Sequence, residues 1–202
     1  LNDSIKDIKI FGYTKIKNYL TDEGVNELKL LVNKEFKKNK KTKESYKGLP
    51  DRGSQDKVVY NLQNLNKIFI DVISTFEIKY ILKSFLNDQY YGPIDSSRPN
   101  YILNYFNARS SGLPLDYHID SHIPYLSEEI FMMQAVILLD YSNHKNGCTK
   151  VIPGSHLSGK YTDRSFDKYH LIEGEPGDLI FWDSRLWHGT LGNVTKASRW
   201  AI

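Results

Sequence analysis

The sequence predicts a mainly β fold with flanking helices. From residue 101 onward, short apolar runs rich in β-branched and aromatic residues are separated by Gly, Pro and Asn turn signals, which favours a β-sandwich or barrel over βαβ units. Before residue 100, apolar residues recur at helical spacing instead. A chain of 202 residues suits one domain with a substantial core. We therefore expect a single domain, 1–202, with a helix-rich front (1–100) and a strand-rich core (101–202).

The front half is predicted to begin with a short strand at Phe11–Ile16. Thr21 is the expected N-cap of an amphipathic helix over residues 22–38, because Asp22 and Glu23 would then lie at the positive end of the helix dipole. The other expected front elements are a polar loop at 39–56, a strand at 58–62 and one or two helices between about 66 and 86.

The back half is predicted to consist of short strands. Phe131–Leu139 is apolar apart from Gln134 and is expected to be a fully buried strand. Glu175-Pro-Gly-Asp178 has Pro and Gly in the order that a type II turn prefers. The remaining predicted strands are 101–106, 149–152, 169–172, 178–182, 186–191 and 198–202, with a turn at 143–147.

Composition and charge argue against several partners. No apolar run is long enough to span a bilayer. Residues 29–47 contain eight lysines and two glutamates, which indicates a solvated helix face running into a loop, although such a stretch could also touch an anionic substrate. No aromatic stacking pattern interleaves these lysines, so we expect no nucleic-acid binding. Cys148 is the only cysteine, which excludes an internal disulfide and is compatible with a reducing cytoplasm.

The first candidate metal ligands are His118 and Asp120. Side chains at positions i and i+2 of a strand point to the same face, and the flanking Gly112, Pro114 and Pro124 disfavour a long helix here. Alone, the His-x-Asp pattern is equally compatible with an exposed pair or a salt-bridged histidine.

His188 completes a possible ligand set, because two histidines and one carboxylate can bind ferrous iron and leave positions open for chemistry. Thr190 shares the face of His188, and Arg199 falls on the next predicted strand. Arginine offers a planar fork for a carboxylate. We therefore predict that Arg199, helped by Thr190, binds a dicarboxylic acid; the alternative is an internal salt bridge to Asp178 or Asp183.

Asn104 and Gln134 each interrupt an apolar predicted strand. Buried amides need hydrogen-bond partners, so both residues either bind the cofactor or substrate or tie strands together.

The sequence resembles the phytanoyl-CoA dioxygenase family of iron- and 2-oxoglutarate-dependent oxygenases. The resemblance rests on Asn146-Gly-Cys-Thr-Lys-Val-Ile-Pro-Gly-Ser-His156 and on Gly177-Asp-Leu-Ile-Phe-Trp-Asp-Ser-Arg-Leu-Trp-His-Gly-Thr190, with a weaker likeness at residues 11–21. It implies a double-stranded β-helix (jelly-roll) core with N-terminal helices packed on it.

The resemblance also implies roles for the candidate residues. His118, Asp120 and His188 would bind iron, and Arg199 with Thr190 would pair with the distal carboxylate of 2-oxoglutarate. Asn104 matches a strand position at which relatives place a cofactor-contacting amide, and Gln134 is the less secure candidate. The turn ending at His156 is interpreted as structural. Family members usually continue beyond the point where this sequence stops, so its C-terminal end is expected to be short or incomplete.

These expectations define an enzyme that uses Fe(II), 2-oxoglutarate and O2 to hydroxylate an unactivated C–H bond of a small metabolite, with release of succinate and CO2. Asp120 favours hydroxylation over halogenation, because a halogenating relative has a small residue in place of the carboxylate. The alternatives are a non-catalytic jelly-roll binding module and a zinc-dependent hydrolase with the same three ligands. We expect a cytoplasmic protein that binds a small molecule and neither membrane nor nucleic acid; the oligomeric state is not readable from the sequence.

Overall fold

The computed structural model describes residues 1–38, 57–86, 101–163, 165–195 and 197–202. Its α-helices in these ranges are α1 (Asn2–Phe11), α2 (Asp22–Lys38), α3 (Lys67–Ile73) and α4 (Phe76–Phe85). Its strands there are β1 (Tyr13–Ile16), β2 (Lys57–Val59), β3 (Ala108–Ser110), β4 (Leu115–His118), β5 (Met133–Ile137), β6 (Thr149–Val151), β7 (His170–Ile172), β8 (Leu179–Asp183) and β9 (His188–Thr190).

The strands pair antiparallel in two main groups. One sheet has the order β1-β8-β5 and the other has the order β4-β9-β6-β7. β2 pairs with β3, and the segment 198–202 connects this pair to the first sheet, because Ala201 bridges both Arg109 of β3 and Leu138 just after β5. The result is a sheet of five strands and a terminal segment facing a four-stranded sheet.

The core has two layers, and β8 is buried between them. Leu179 and Phe181 of β8 belong to a cluster shared with all four helices, whereas Ile180 and Trp182 point to the opposite face and pack with Val151 of β6. Alternate residues of a strand point to opposite faces, so an uninterrupted apolar strand can fill both layers. The helices therefore cover the outer face of the β1-β8-β5 sheet, and the second cluster lies between the two sheets.

The helix and turn predictions agree closely with the structure. α2 begins at Asp22, and the Thr21 side chain accepts a hydrogen bond from the backbone N–H of Gly24, as an N-cap does. The stretch 66–86 forms two helices, α3 and α4, each opened by a side-chain cap from Asn66 or Thr75. Gly177 has a φ of +92°, which suits the third position of the predicted type II turn.

α1 is not predicted from the sequence. Only Ile8 is buried in this helix, so the apolar periodicity that marks a helix is weak. Gly12 ends α1 in the left-handed region at φ +86°, and a Cβ there would lie 2.6 Å from Leu186. The predicted strand at Phe11–Ile16 therefore starts two residues later, at Tyr13.

The predicted strand at Tyr101–Phe106 is wrong. This stretch is irregular, with Ile102, Leu103, Asn104 and Tyr105 exposed. A strand also needs a neighbouring strand to pair with, and composition does not show whether one is present. Strand pairing begins only with β3, at Ala108, which has β2 on one side and Ala201 on the other.

The strand predicted at Phe131–Leu139 is shorter and less buried than expected. β5 spans Met133–Ile137, Phe131 is 70% exposed and Ala135 is exposed as well. Phe131 and Ala135 both line a cavity of about 780 Å³, so packed side chains do not cover them on that side.

The other predicted strands are present with shifted ends. The segment 198–202 makes an isolated bridge at Ala201 and does not form a full strand. The predicted loop at 39–56 lies outside the described residues. No helix in the described part of the chain is long and apolar enough to cross a membrane.

Candidate metal centre and co-substrate site

Two neighbouring strands bring the candidate histidines together. His118 is the last residue of β4 and His188 is the first residue of β9, and the two are direct partners in the antiparallel pair. Their ring centroids are 4.2 Å apart. Asp120 does not lie on the strand, as the i, i+2 interpretation assumed, but in the turn that follows β4.

The Asp120 carboxylate lies between the two imidazoles. Its Oδ1 is 3.6 Å from Nε2 of His118, and its Oδ2 is 3.5 Å from Nε2 of His188. One ligand atom from each of the three residues lies within 4.8 Å of the others. Metal–ligand bonds of about 2 Å can join atoms at this spacing to one ion.

Backbone carbonyls fix the orientation of both imidazoles. Nδ1 of His118 is 2.9 Å from the Asp116 carbonyl oxygen, and Nδ1 of His188 is 2.9 Å from that of Leu186. A carbonyl oxygen can only accept, so each Nδ1 carries the hydrogen and each Nε2 presents its lone pair toward Asp120. Metal-binding histidines typically donate their other ring N–H to a carbonyl or carboxylate oxygen in this way.

Burial differs among the three residues. His188 is 5% exposed, whereas His118 and Asp120 are partly accessible, so the centre opens on their side. Burial lowers the pKa of His188, Asp120 opposes this shift and His118 reinforces it. The His188 imidazole is therefore neutral near pH 7, the form that binds metal.

Trp182 makes a contact that sequence reasoning missed. Its indole N–H donates to Oδ2 of Asp120 at 3.1 Å, and its ring centroid lies 5.2 Å from that of His188. Trp187, by contrast, packs in a separate cluster with Tyr117 and Ile119.

Thr190 lies on β9 next to β6, two positions after His188, and Arg199 lies near Cys148, the residue that precedes β6. Thr190 pairs with Thr149, and its hydroxyl oxygen accepts from the backbone N–H of Leu115 at 3.1 Å, which leaves its own O–H to donate. Burial raises the pKa of Cys148 to about 11 and Glu173 adds to this rise, whereas the nearby positive charge of Arg199 opposes it.

The alternative partners suggested for Arg199 are engaged elsewhere. Asp178 lies 3.8 Å from Lys15 and accepts from the backbone N–H of Asn18. Asp183 forms a buried ion pair with Arg185 at 2.6 Å. These contacts weaken the interpretation of Arg199 as an internal salt bridge to either carboxylate.

Asn104 and Gln134 are not among the three candidate ligands. Both line the mostly apolar cavity of about 780 Å³ that lies between α4, residues 101–106 and β5. Gln134 pairs in register with Trp182 and accepts from the Tyr105 hydroxyl at 3.4 Å. Their predicted cofactor contacts remain predictions.

Arg185 is a further residue near the centre that the sequence did not single out. Besides its pair with Asp183, it donates through Nη1 to the Ser127 carbonyl oxygen at 2.8 Å and lies 4.7 Å above the Tyr125 ring. Arg185 thus ties the stretch that follows Asp120 to the turn that precedes His188. Arg185 lies within the motif at residues 177–190, but nothing in the spacing of the motif residues indicates its long-range contact with Ser127.

His156 plays no part in the cluster of ligands. It is buried, and its Nε2 faces the Lys9 carbonyl oxygen at 3.3 Å. Ser155 in the same turn accepts from the backbone N–H of Trp187 at 2.9 Å. These contacts support the structural interpretation of the Pro-Gly-Ser-His turn.

The donor set fits ferrous iron. Two imidazole lone pairs and one carboxylate are the facial set that suits this ion, and the described residues contain no thiolate near it that would favour a structural zinc site. A cation is also the natural complement to two imidazole Nε2 atoms that face a carboxylate.

Several known proteins are similar to this chain in sequence or in fold. Dioxygenase af480 from Aspergillus fumigatus is 26% identical over 209 residues, which cover 100% of this chain, and the chain spans 65% of that relative's length. The non-haem alpha-ketoglutarate-dependent carbocyclase SnoK from nogalamycin biosynthesis superposes with a TM-score of 0.70 at 16% identity, covering 100% of this chain and 81% of SnoK. HygX from Streptomyces hygroscopicus, solved with nickel and 2-oxoglutarate bound, gives a TM-score of 0.70 at 13% identity, covering 100% and 84%.

The structural likeness confirms the expected jelly-roll fold with helices packed on it. The profile of the phytanoyl-CoA dioxygenase family matches residues 9–201, which is almost the whole chain. The resemblance seen in the sequence motifs is thereby confirmed, and the chain belongs to the phytanoyl-CoA dioxygenase family.

Proposed function

We propose that this protein is an Fe(II)- and 2-oxoglutarate-dependent dioxygenase that hydroxylates an unactivated C–H bond of a small-molecule substrate, with release of succinate and CO2. The observation that carries the proposal is the convergence of His118, Asp120 and His188, whose ligand atoms lie within 4.8 Å of one another. Membership of the phytanoyl-CoA dioxygenase family supports the same conclusion.

The three residues would hold the iron through two Nε2 atoms and one carboxylate oxygen. When bound, iron with 2-oxoglutarate and O2 supplies the oxidising chemistry that the protein's own side chains cannot. His118 and Asp120 are partly accessible whereas His188 is buried, so a bound ion would be approached by small molecules from the side of His118 and Asp120. Trp182 holds one carboxylate oxygen of Asp120 and so limits how that group can turn.

Arg199 and Thr190 would bind the distal carboxylate of 2-oxoglutarate. Arginine matches a carboxylate with two parallel N–H groups, and the Thr190 hydroxyl adds a donor. A zinc hydrolase has no use for a dicarboxylate clamp, and a purely structural metal site would not need partly open ligands. Both features favour the oxygenase over the two alternatives.

A small-molecule substrate is supported by HygX, which has also been solved with hygromycin B bound. Cytoplasmic location and the hydroxylation of an unactivated C–H bond remain predictions from the sequence.

Succinate release tests the proposal. Purified protein with Fe(II), ascorbate and 2-oxoglutarate should form succinate. The rate of succinate formation should rise when a metabolite pool that contains the correct substrate is added, and a chelator should abolish succinate formation. Asp120→Ala should form none above background. Turnover by a zinc-loaded protein without 2-oxoglutarate would support the hydrolase, and metal binding without 2-oxoglutarate binding would support the non-catalytic module.

A further inference from the structure

The Asp140 side chain accepts hydrogen bonds from both neighbours of Arg199, namely from a hydroxyl on one side and from a backbone N–H on the other. Its Oδ2 accepts from the Ser198 hydroxyl at 2.7 Å and from the backbone N–H of Trp200 at 2.9 Å. The carboxylate is only 8% exposed, and its other oxygen accepts from Lys29 of α2. The same buried oxygen, Oδ2, thus bonds to the residues immediately before and after Arg199, the residue that would bind 2-oxoglutarate.

Ser110 holds Arg199 from the opposite side. The backbone N–H of Arg199 donates to the Ser110 hydroxyl at 2.9 Å, and Ser110 is 5% exposed. Further along the segment, Ala201 bonds to the backbone of Arg109 and Ile202 to that of Ile137. Ser110 and Asp140 therefore add side-chain hydrogen bonds at Arg199 and its two neighbours to the backbone pairs that Ala201 and Ile202 make.

We propose that Asp140 is a positioning residue for Arg199 in 2-oxoglutarate binding. The inference rests on the proposed function, because it takes Arg199 as the carboxylate clamp. A guanidinium pairs with a carboxylate through two parallel N–H groups, so a small displacement of its backbone removes one of the two bonds. Asp140 and Ser110 fix the direction in which the Arg199 side chain leaves the sheet.

The competing explanation is that Asp140 only anchors the segment 198–202 to the rest of the fold. Asn33 provides a matched control for this explanation. Its side chain accepts from the indole N–H of Trp200 at 3.1 Å, so it anchors the same segment without touching the backbone around Arg199. Asn33→Ala should destabilise the protein and leave the 2-oxoglutarate site in place.

The experiment measures the dissociation constant of 2-oxoglutarate by calorimetry, with Co(II) present at saturation to avoid oxidation. The dissociation constant of Co(II) and the thermal midpoint are measured in parallel. The variants are Asp140→Asn, Ser198→Ala, Asn33→Ala and, as a direct test of the clamp, Arg199→Gln.

We expect Asp140→Asn to weaken 2-oxoglutarate binding roughly tenfold and Ser198→Ala roughly threefold, since each loses or weakens a hydrogen bond to a charged group. Asn33→Ala should stay within about twofold of the wild type at a similar loss of thermal stability. Co(II) binding should stay within about twofold in all of these variants, because the metal ligands lie on β4, β9 and the turn after β4.

The role of Asp140 would be overturned if Asp140→Asn and Ser198→Ala both bound 2-oxoglutarate with wild-type affinity while Arg199→Gln bound it more weakly. That result would leave the proposed function standing. Equal losses in Asp140→Asn and Asn33→Ala would also overturn the role of Asp140. If Asp140→Asn fails to fold, Ser198→Ala decides the matter. A wild-type protein that does not bind 2-oxoglutarate would overturn the proposed function itself, and this inference with it.

Discussion

The indole N–H of Trp182 donates to Oδ2 of Asp120 at 3.1 Å, across 62 positions of sequence. Trp182 is 7% exposed and lies on β8, whereas Asp120 lies in the turn after β4, so the contact joins the two sheets at the candidate metal centre. The bond leaves Oδ1 of Asp120 as the less engaged oxygen.

Replacing Trp182 with Phe should weaken metal binding. The variant keeps an aromatic ring in the interior but lacks the donor, and loss of a hydrogen bond to a metal-binding carboxylate typically costs about 10–100-fold in metal affinity. Co(II) titration of the metal-free protein measures the effect. Trp187→Phe is the control, because Trp187 packs away from Asp120; equal metal affinity in the two variants would show that the Trp182 bond has no such role.

Replacing Arg185 with Met should destabilise the protein strongly. The change leaves the Asp183 carboxylate, which is 0% exposed, without its cationic partner, and breaking a buried pair from one side costs about 3–5 kcal/mol. Urea unfolding at neutral pH measures the free energy of unfolding.

Two further variants make the Arg185 prediction specific. Arg185→Met combined with Asp183→Leu should recover part of the loss, because no buried charge then remains. Lys67→Ala, which removes the exposed pair between Lys67 and Asp71, should cost no more than about 0.5 kcal/mol. A loss for Arg185→Met as small as that for Lys67→Ala would contradict the structural role of Arg185.

The stability of the metal-free protein should fall in mild acid. Burial lowers the pKa of both His188 and His156 in the folded state, although Asp120 and Asp183 respectively oppose the shift. In the unfolded chain a histidine binds its proton near pH 6.5, so below that pH the unfolded state binds more protons than the folded state. Stability therefore rises with pH across this window and levels off above about pH 7.

Thermal midpoints between pH 5 and pH 7.5 test this dependence. His156→Gln should show a shallower slope than the wild type, since one of the two buried imidazoles is gone, and it should bind metal normally. A wild-type midpoint that does not change over this range, or an unchanged slope in His156→Gln, would be inconsistent with the burial of these rings.

Local patterns explain what could be predicted from the sequence. The cap at Thr21, the spacing of apolar residues in α2 and the Pro-Gly turn before Asp178 all depend on near neighbours, and each is found in the structure. His188 could be singled out because it lies in the motif at residues 177–190, and His118 because Asp120 follows it two positions later. Their direct pairing across β4 and β9 is compatible with the sequence but is visible only in the structure.

Long-range contacts explain what could not be predicted. Tyr101–Phe106 has the composition of a strand, yet no strand of the described chain pairs with it. The bonds from Trp182 to Asp120 and from Arg185 to Ser127 link residues about 60 positions apart. Asp140 ends an apolar run and resembles an ordinary turn residue until the segment 198–202 is placed beside it.

Metal binding by the three candidate ligands is the most direct test of the account. Metal-free protein titrated anaerobically with Fe(II), and in parallel with Co(II), should bind one ion per chain. Asp120→Ala and His188→Gln should lose that binding, whereas His156→Gln, which changes a buried histidine outside the cluster, should retain it. Undiminished binding in both Asp120→Ala and His188→Gln, or no binding by the wild type, would contradict the central claim that these side chains form one iron site.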